Sequence, residues 1–208
     1  MKRFLIILFS LPATLWAQHP IEVQQKAAAG DYMAALITFE KMPKKRADSN
    51  VRISAARSAW ALGLSDRAIQ EYEQALQTGQ LSDQEKARVY LGKAIIYHQE
   101  GNSELTAREV ERAYNLLSDP SPLRANILAL WGESLAAQKA YALAEAKYSQ
   151  ALTEIQPDLV PEVAFLLGSV QKEVGKDDEA RQNFEKIPLG NDRAPQGMRS
   201  LAEIEMRS

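Results

Sequence analysis

The stretch from Leu128 to Ala151 constrains the fold more than any other part of the chain. Its apolar residues recur every three or four positions, which is the spacing of amphipathic helices. We predict that it forms two helices folded against each other. Alternating small and large apolar residues on these helices indicate a tightly packed pair.

The same spacing of small and large residues returns along the chain after the first twenty residues. Equivalent small residues follow one another at steps of 33, 38, 38 and 36 residues: Ala35, Ala68, Thr106, Ala144 and Ala180. A period in this range predicts a solenoid of stacked helix pairs. The predicted array covers residues 18–193, with pairs at about 21–46, 48–80, 82–119, 121–157 and 158–190, and a capping helix at 194–208.

Several local signals support these boundaries. Ser82 followed by Glu85 is a capping box, which starts a helix, and Ser121-Pro122 is an N-cap followed by a first-turn proline. Gly30 is suited to end the first predicted helix, at 21–29, because glycine accepts the left-handed backbone of a helix C-terminus.

Two segments repeat a more detailed motif. Residues 128–157 contain Trp131-Gly132, Tyr141, Ala144, Tyr148, Ala151 and Pro157, and residues 164–188 contain Leu167-Gly168, Gly175, Ala180, Phe184 and Pro188. In these residues the chain resembles the tetratricopeptide repeat family, over about residues 21–188. The resemblance implies an all-α fold, a right-handed α-α superhelix of about five helix pairs whose first helices line a concave groove.

The small residues of the motif have a steric role. We expect Gly132 and Gly168, in first helices, to let the second helices approach at Ala144 and Ala180. The aromatic rings of the second helices would then fill the wider space beside that contact.

Composition excludes several kinds of site. The 208-residue chain has a formal net charge of −2, which does not favour nucleic-acid binding. It contains no cysteine and only two histidines, His19 and His98, so neither a disulfide, a thiolate metal site nor a multi-histidine metal site is expected. No cofactor is expected.

The first seventeen residues resemble a secretory signal peptide. Lys2 and Arg3 precede an apolar run from Phe4 to Trp16, and Ala17 is a small residue suited to cleavage. The alternative is a membrane anchor, but a spanning helix needs about 20 apolar residues. We expect an exported protein, periplasmic in a Gram-negative bacterium.

No arrangement of residues points to catalysis. The chain lacks a glycine-rich phosphate loop, a Gly-x-Ser-x-Gly elbow and a His-Glu-x-x-His motif. The compact basic run Lys44-Lys45-Arg46 is interpreted as a solvated loop. The alternative hypothesis is weak electrostatic contact with a membrane surface or an acidic partner.

The groove positions carried over by register mix apolar, charged and amide side chains. The predicted partner-binding residues are Asn50, Arg57, Trp60, Arg88, Leu91, Ile95, His98, Asn126, Glu133, Phe165 and Lys172. Ile53, Ala129, Glu162 and Ser169 share the same register. The alternative for each is internal packing, or cover by the C-terminal helix.

These observations favour an exported, non-enzymatic scaffold that binds an envelope protein or its peptide. Accessory parts of assembly, secretion or cell-wall machines often have this form, as the family resemblance implies. The alternative is a helical protein that binds a solute or small ligand, which would need an enclosed apolar pocket with a few polar groups.

Overall fold

The structure, a computed structural model, describes residues 13–79 and 81–207. Within these ranges it contains eleven α-helices and no strand, which confirms the predicted all-α class. Two short 3₁₀ turns lie at Lys44–Arg46 and Pro157–Leu159. The helices are α1 Ala13–Ala28, α2 Tyr32–Lys41, α3 Ser49–Ala61, α4 Ser65–Gln77, α5 Asp83–Gln99, α6 Ser103–Tyr114, α7 Pro122–Ala137, α8 Tyr141–Leu152, α9 Val160–Glu173, α10 Asp177–Phe184 and α11 Ala194–Glu205.

The chain divides into two compact units, Met1–Leu81 and Ser82–Ser208. Unit one contains α1 to α4, and unit two contains α5 to α11. Inside unit two each helix packs on the next one along the chain, and α5, α7 and α9 also contact one another in sequence. Contacts limited to neighbouring pairs are the mark of a solenoid.

The predicted register is confirmed by burial. The five small residues that define the repeat, Ala35, Ala68, Thr106, Ala144 and Ala180, are all fully buried. Thr106 replaces alanine without leaving its hydroxyl unsatisfied, because Thr106 Oγ1 donates a hydrogen bond to the carbonyl oxygen of Asn102 at 2.8 Å.

The turn inside each helix pair also repeats. Five residues before each of these small residues, the backbone has a positive φ, a conformation that favours glycine. Lys139, with φ 59°, takes this position in the fourth pair. The other four residues there are Gly30, Gly63, Gly101 and Gly175.

The predicted partner of the first-helix glycines was wrong in one respect. A Cβ atom built on Gly132 would lie 2.5 Å from Tyr148 Cε1, and one on Gly168 would lie 2.9 Å from Phe184 Cε1. The glycines therefore admit the aromatic ring, one turn beyond the alanines named in the prediction. The reason is size, since a ring needs more room at the crossing than a methyl group does.

The first helix differs from its predicted extent. Helix α1 begins at Ala13 rather than at residue 21, and Pro20 lies inside it. The predicted signal peptide, residues 1–17, thus ends within this helix, and its residues 1–12 lie outside the described part of the chain. Among the described residues no helix combines the length and apolar character that crossing a membrane requires.

The close approach at Gly132 generates a prediction about stability. Gly132→Ala places a methyl group against the buried Tyr148 ring, so we expect a loss of about 1–3 kcal/mol in the free energy of unfolding. Urea titration followed by circular dichroism measures it. Gly190→Ala is the control, because nothing lies within 4 Å of its added Cβ, and equal midpoints for both variants would contradict the packing described.

Candidate functional site

A pocket of about 290 Å³ opens among the first helices of unit two. Helix α5 contributes Leu91 and Ile95, and the segment before α9 contributes Ile155 and Leu159. Its remaining lining residues come from α7 and α9: Asn126, Ala129, Leu130, Glu133, Glu162, Val163 and Leu166. We call the surface formed by α5, α7 and α9 the first-helix face.

Helical periodicity separates the residues of α7 into two faces. Residues Ala125, Leu128 and Gly132 are buried and lie three or four positions apart. Asn126, Ala129 and Glu133 have the same spacing, shifted by one residue, and line the pocket. The contact that fixes the helix pair therefore also aims this second row of side chains at the first-helix face.

Charged side chains form a polar rim beside the apolar lining. Nε2 of His98 lies 3.2 Å from Oε2 of Glu133. Arg193, which immediately precedes α11, donates from Nε to Oε2 of Glu162 at 2.6 Å, and its terminal nitrogen also contacts that carboxylate. The Arg193 guanidinium lies 5.0 Å from the centroid of the Phe165 ring.

The environment of Glu133 is unfavourable to its negative charge. Burial raises the pKa of its carboxyl above the ordinary value, and the nearby Glu162 adds to this effect. His98 and Arg193 act in the opposite direction, yet the net shift stays upward. The carboxylate of Glu133 is therefore incompletely compensated for its loss of solvent.

The structure brings four of the predicted residues into the pocket and places a fifth beside it. Leu91, Ile95, Asn126 and Glu133 line the pocket, and His98 contacts Glu133. Arg88 is exposed on α5 and is not among the lining residues. Whether these residues bind a partner stays a prediction.

Two other predicted residues contact the C-terminal segment. Lys172 Nζ donates to Oε2 of Glu203 in α11 at 2.6 Å, and Phe165 packs beside the cluster formed by α10 and α11. Ser200 and Ile204 are on the buried side of α11. At this end of the first-helix face, the C-terminal segment therefore covers Phe165 and Lys172, as the alternative interpretation expected.

The remaining predicted residues lie in unit one. Asn50 and Arg57 are exposed on α3, and Trp60 on the same helix is half-buried. In the basic turn, Lys44 lies 3.9 Å from the centroid of the Phe39 ring and forms an ion pair with Glu40. Lys44, which belongs to the predicted membrane-contacting run, therefore already has partners inside unit one.

Sequence reasoning missed several pocket residues. Ile155 and Leu159 lie between helices, where helical register gives no guidance. Arg193 lies outside the repeats and reaches the rim through its ion pair with Glu162. Across the described parts of the chain, no group of three or more histidine, aspartate or glutamate side chains is placed to hold a metal ion.

Comparison with solved structures identifies the fold. A structure of the MamA protein has a TM-score of 0.69 at 16% identity, covering 84% of this chain and 90% of MamA. A second MamA structure, from MSR-1, has a TM-score of 0.67 at 18% identity, covering 93% and 98%. PilF of Pseudomonas aeruginosa has a TM-score of 0.68 at 14% identity, covering 94% and 90%.

No protein-family model matches the sequence, and no curated protein matches it either. MamA and PilF are both tetratricopeptide-repeat proteins. The chain has the tetratricopeptide-repeat fold, as its helix pairs and its buried repeat residues also indicate.

The raised pKa of Glu133 predicts how stability depends on pH. Between the ordinary pKa and the raised one, the unfolded chain releases a proton that the folded chain keeps, so ionisation favours unfolding as pH rises through this window. We expect wild type to lose stability relative to Glu133→Gln between about pH 4 and about pH 7. Urea titrations at both values measure the difference.

Glu111→Gln is the matched control for this measurement, because Glu111 is exposed on α6 and does not line the pocket. Its stability difference from wild type should stay level over the same range. A Glu133→Gln difference that is equally level would contradict the described burial of Glu133.

Proposed function

We propose that the protein is a non-enzymatic interaction scaffold that binds a peptide or a partner protein on the first-helix face of unit two. The observation that carries the proposal is the pocket, which combines an apolar lining with two carboxylates and one amide. Apolar side chains of a partner would be removed from water there, while Asn126 has both donors and an acceptor for a peptide backbone.

The proposal includes export to the cell envelope, where the scaffold would serve an assembly or secretion machine. It is supported by the basic start, the apolar run and Ala17 of the N-terminal sequence. Helix α1 is compatible with cleavage after Ala17. Pro20 would then fall in the first turn of the shortened helix, where proline's missing N–H group is tolerated.

A second candidate function is the binding of a small apolar ligand. Its support is the apolar majority of the pocket lining. Pockets for small molecules typically measure about 300–1,000 Å³, and this one is at the lower limit, at about 290 Å³. The size favours side chains of a peptide over a separate ligand.

Site-specific crosslinking in cells tests the scaffold function. A photoreactive amino acid at Asn126 or Arg88 should capture the same envelope protein, and Trp60 tests whether unit one contributes. The same residue placed at Glu111, exposed on α6, should capture none of it. Ile95→Asp should reduce capture at Asn126, because the charge enters the apolar lining.

The result that would contradict the scaffold is absence of any protein adduct at all three positions. Recovery of a small-molecule adduct at Asn126 would favour the second candidate instead. Thermal melts of the Ile95→Asp variant establish that a loss of capture reflects the pocket rather than unfolding.

Export has its own test. The protein purified from the envelope fraction should have the intact mass of residues 18–208. A protein that keeps residues 1–17 after fractionation would contradict removal of a signal peptide and favour an anchored form.

A further inference from the structure

We infer that the pocket of unit two selects peptide segments in which bulky apolar side chains stand next to lysine or arginine, and that it rejects acidic segments and free C-terminal carboxylates. The inference rests on the proposed function and names the chemistry of the partner. It follows from the charges that line the pocket and from those that surround it.

The lining determines the apolar part of this preference. Eight of the eleven lining residues are leucine, isoleucine, valine or alanine: Leu91, Ile95, Ala129, Leu130, Ile155, Leu159, Val163 and Leu166. Branched and aromatic side chains gain most from burial in such a site, since the gain scales with the apolar area removed from water. The limited volume, about 290 Å³, suits side chains of one segment.

The ionisable lining residues determine the charge preference. They are Glu133 and Glu162, and among the described residues that line the pocket none is lysine or arginine. Glu162 is already paired with the guanidinium of Arg193, whereas the ion-pair contact of Glu133 is the imidazole of His98. The partner that complements this rim is cationic.

The groups that contact the two carboxylates do not cancel this preference. Arg193 is held in two contacts with Glu162 and lies against the Phe165 ring, so its orientation is fixed toward groups of the protein. A carboxylate has about four acceptor positions, so Glu133 can accept from His98 and from an incoming lysine or arginine. An incoming carboxylate would instead meet like charge in a partly buried site.

Selection from a peptide display library tests the inference directly. The immobilised full chain is exposed to random 12-residue peptides, free at either end, and the enriched sequences are read. We expect leucine, isoleucine, valine, methionine or phenylalanine beside lysine or arginine, with aspartate and glutamate depleted. The best enriched peptide is then labelled with fluorescein for affinity measurements by polarisation.

Charge variants connect the selected sequences to the rim. Glu133→Lys should weaken binding of the labelled peptide about tenfold or more. Glu133→Gln, which keeps the side-chain shape, should weaken binding by a smaller factor. Glu111→Lys, the same change on exposed α6, should leave the affinity within about twofold of wild type. Higher salt should weaken wild type more than Glu133→Lys.

The outcomes separate the inference from the function beneath it. If the enriched peptides are acidic or uncharged and Ile95→Asp abolishes their binding, the charge preference is overturned while the scaffold function stands. Absence of enrichment over a blank surface contradicts the scaffold itself. Self-association of the chain that Glu133→Lys disrupts, seen by sedimentation, would make a second copy the occupant and overturn the inference as well.

Discussion

The ring of Tyr148 lies against the backbone of Gly132, and the ring of Phe184 lies against Gly168 in the same way. Each contact joins the first and second helix of a pair at a point where the first helix has backbone, and no side chain of its own, facing the ring. Because glycine occupies only one stripe of the first helix, the contact also fixes how that helix is rotated. The row of side chains one residue further on is then turned toward the first-helix face.

The same two positions can be followed through the other pairs. Twelve residues before each buried repeat residue, the first helix has a residue that is fully buried: Val23, Ala56 and Ala94 in pairs one to three. Four residues after each buried repeat residue, the second helix has another buried residue: Phe39, Tyr72 and Val110. Both positions are therefore buried throughout the repeat, and pairs four and five combine them as a glycine against an aromatic ring.

The pocket depends on this geometry and on one element outside the repeats. The apolar residues of α5, α7 and α9 lie side by side because these helices contact one another in turn. The segment before α11 then supplies Arg193, which pairs with Glu162, while none of the described residues that line the pocket itself is a lysine or an arginine. A capping segment that closes one end of the array thus also contributes to the chemistry of the candidate site.

Much of this fold could be predicted from the sequence because the repeat period fixes which residues of each helix are equivalent. Once Ala144 and Tyr148 are placed, the period carries over to the turns at Gly101 and Gly175, and Leu91, Ile95, Asn126 and Glu133 follow onto one face. Register also places Phe165 and Lys172 on that face. It gives no information about α11, which packs there and engages Lys172 through Glu203.

Other features could not be predicted because they do not follow the repeat period. The division of the chain between Leu81 and Ser82 depends on which helices touch, and helix signals in the sequence do not report it. Lys139 adopts a backbone conformation that glycine takes in the other pairs, so composition alone would not mark that turn. Ile155 and Leu159 reach the pocket from a connection whose path is not periodic.

The central claim, that the first-helix face of unit two is the binding surface, is tested most directly by amide chemical-shift mapping of the chain with a selected peptide. The account predicts that shift changes cluster on α5, α7, the N-terminal half of α9 and the Pro157–Leu159 turn, with α6, α8 and α10 little affected. Changes concentrated on α6 and α8, or spread over the chain without a centre at Leu91, Asn126 and Glu133, would contradict it.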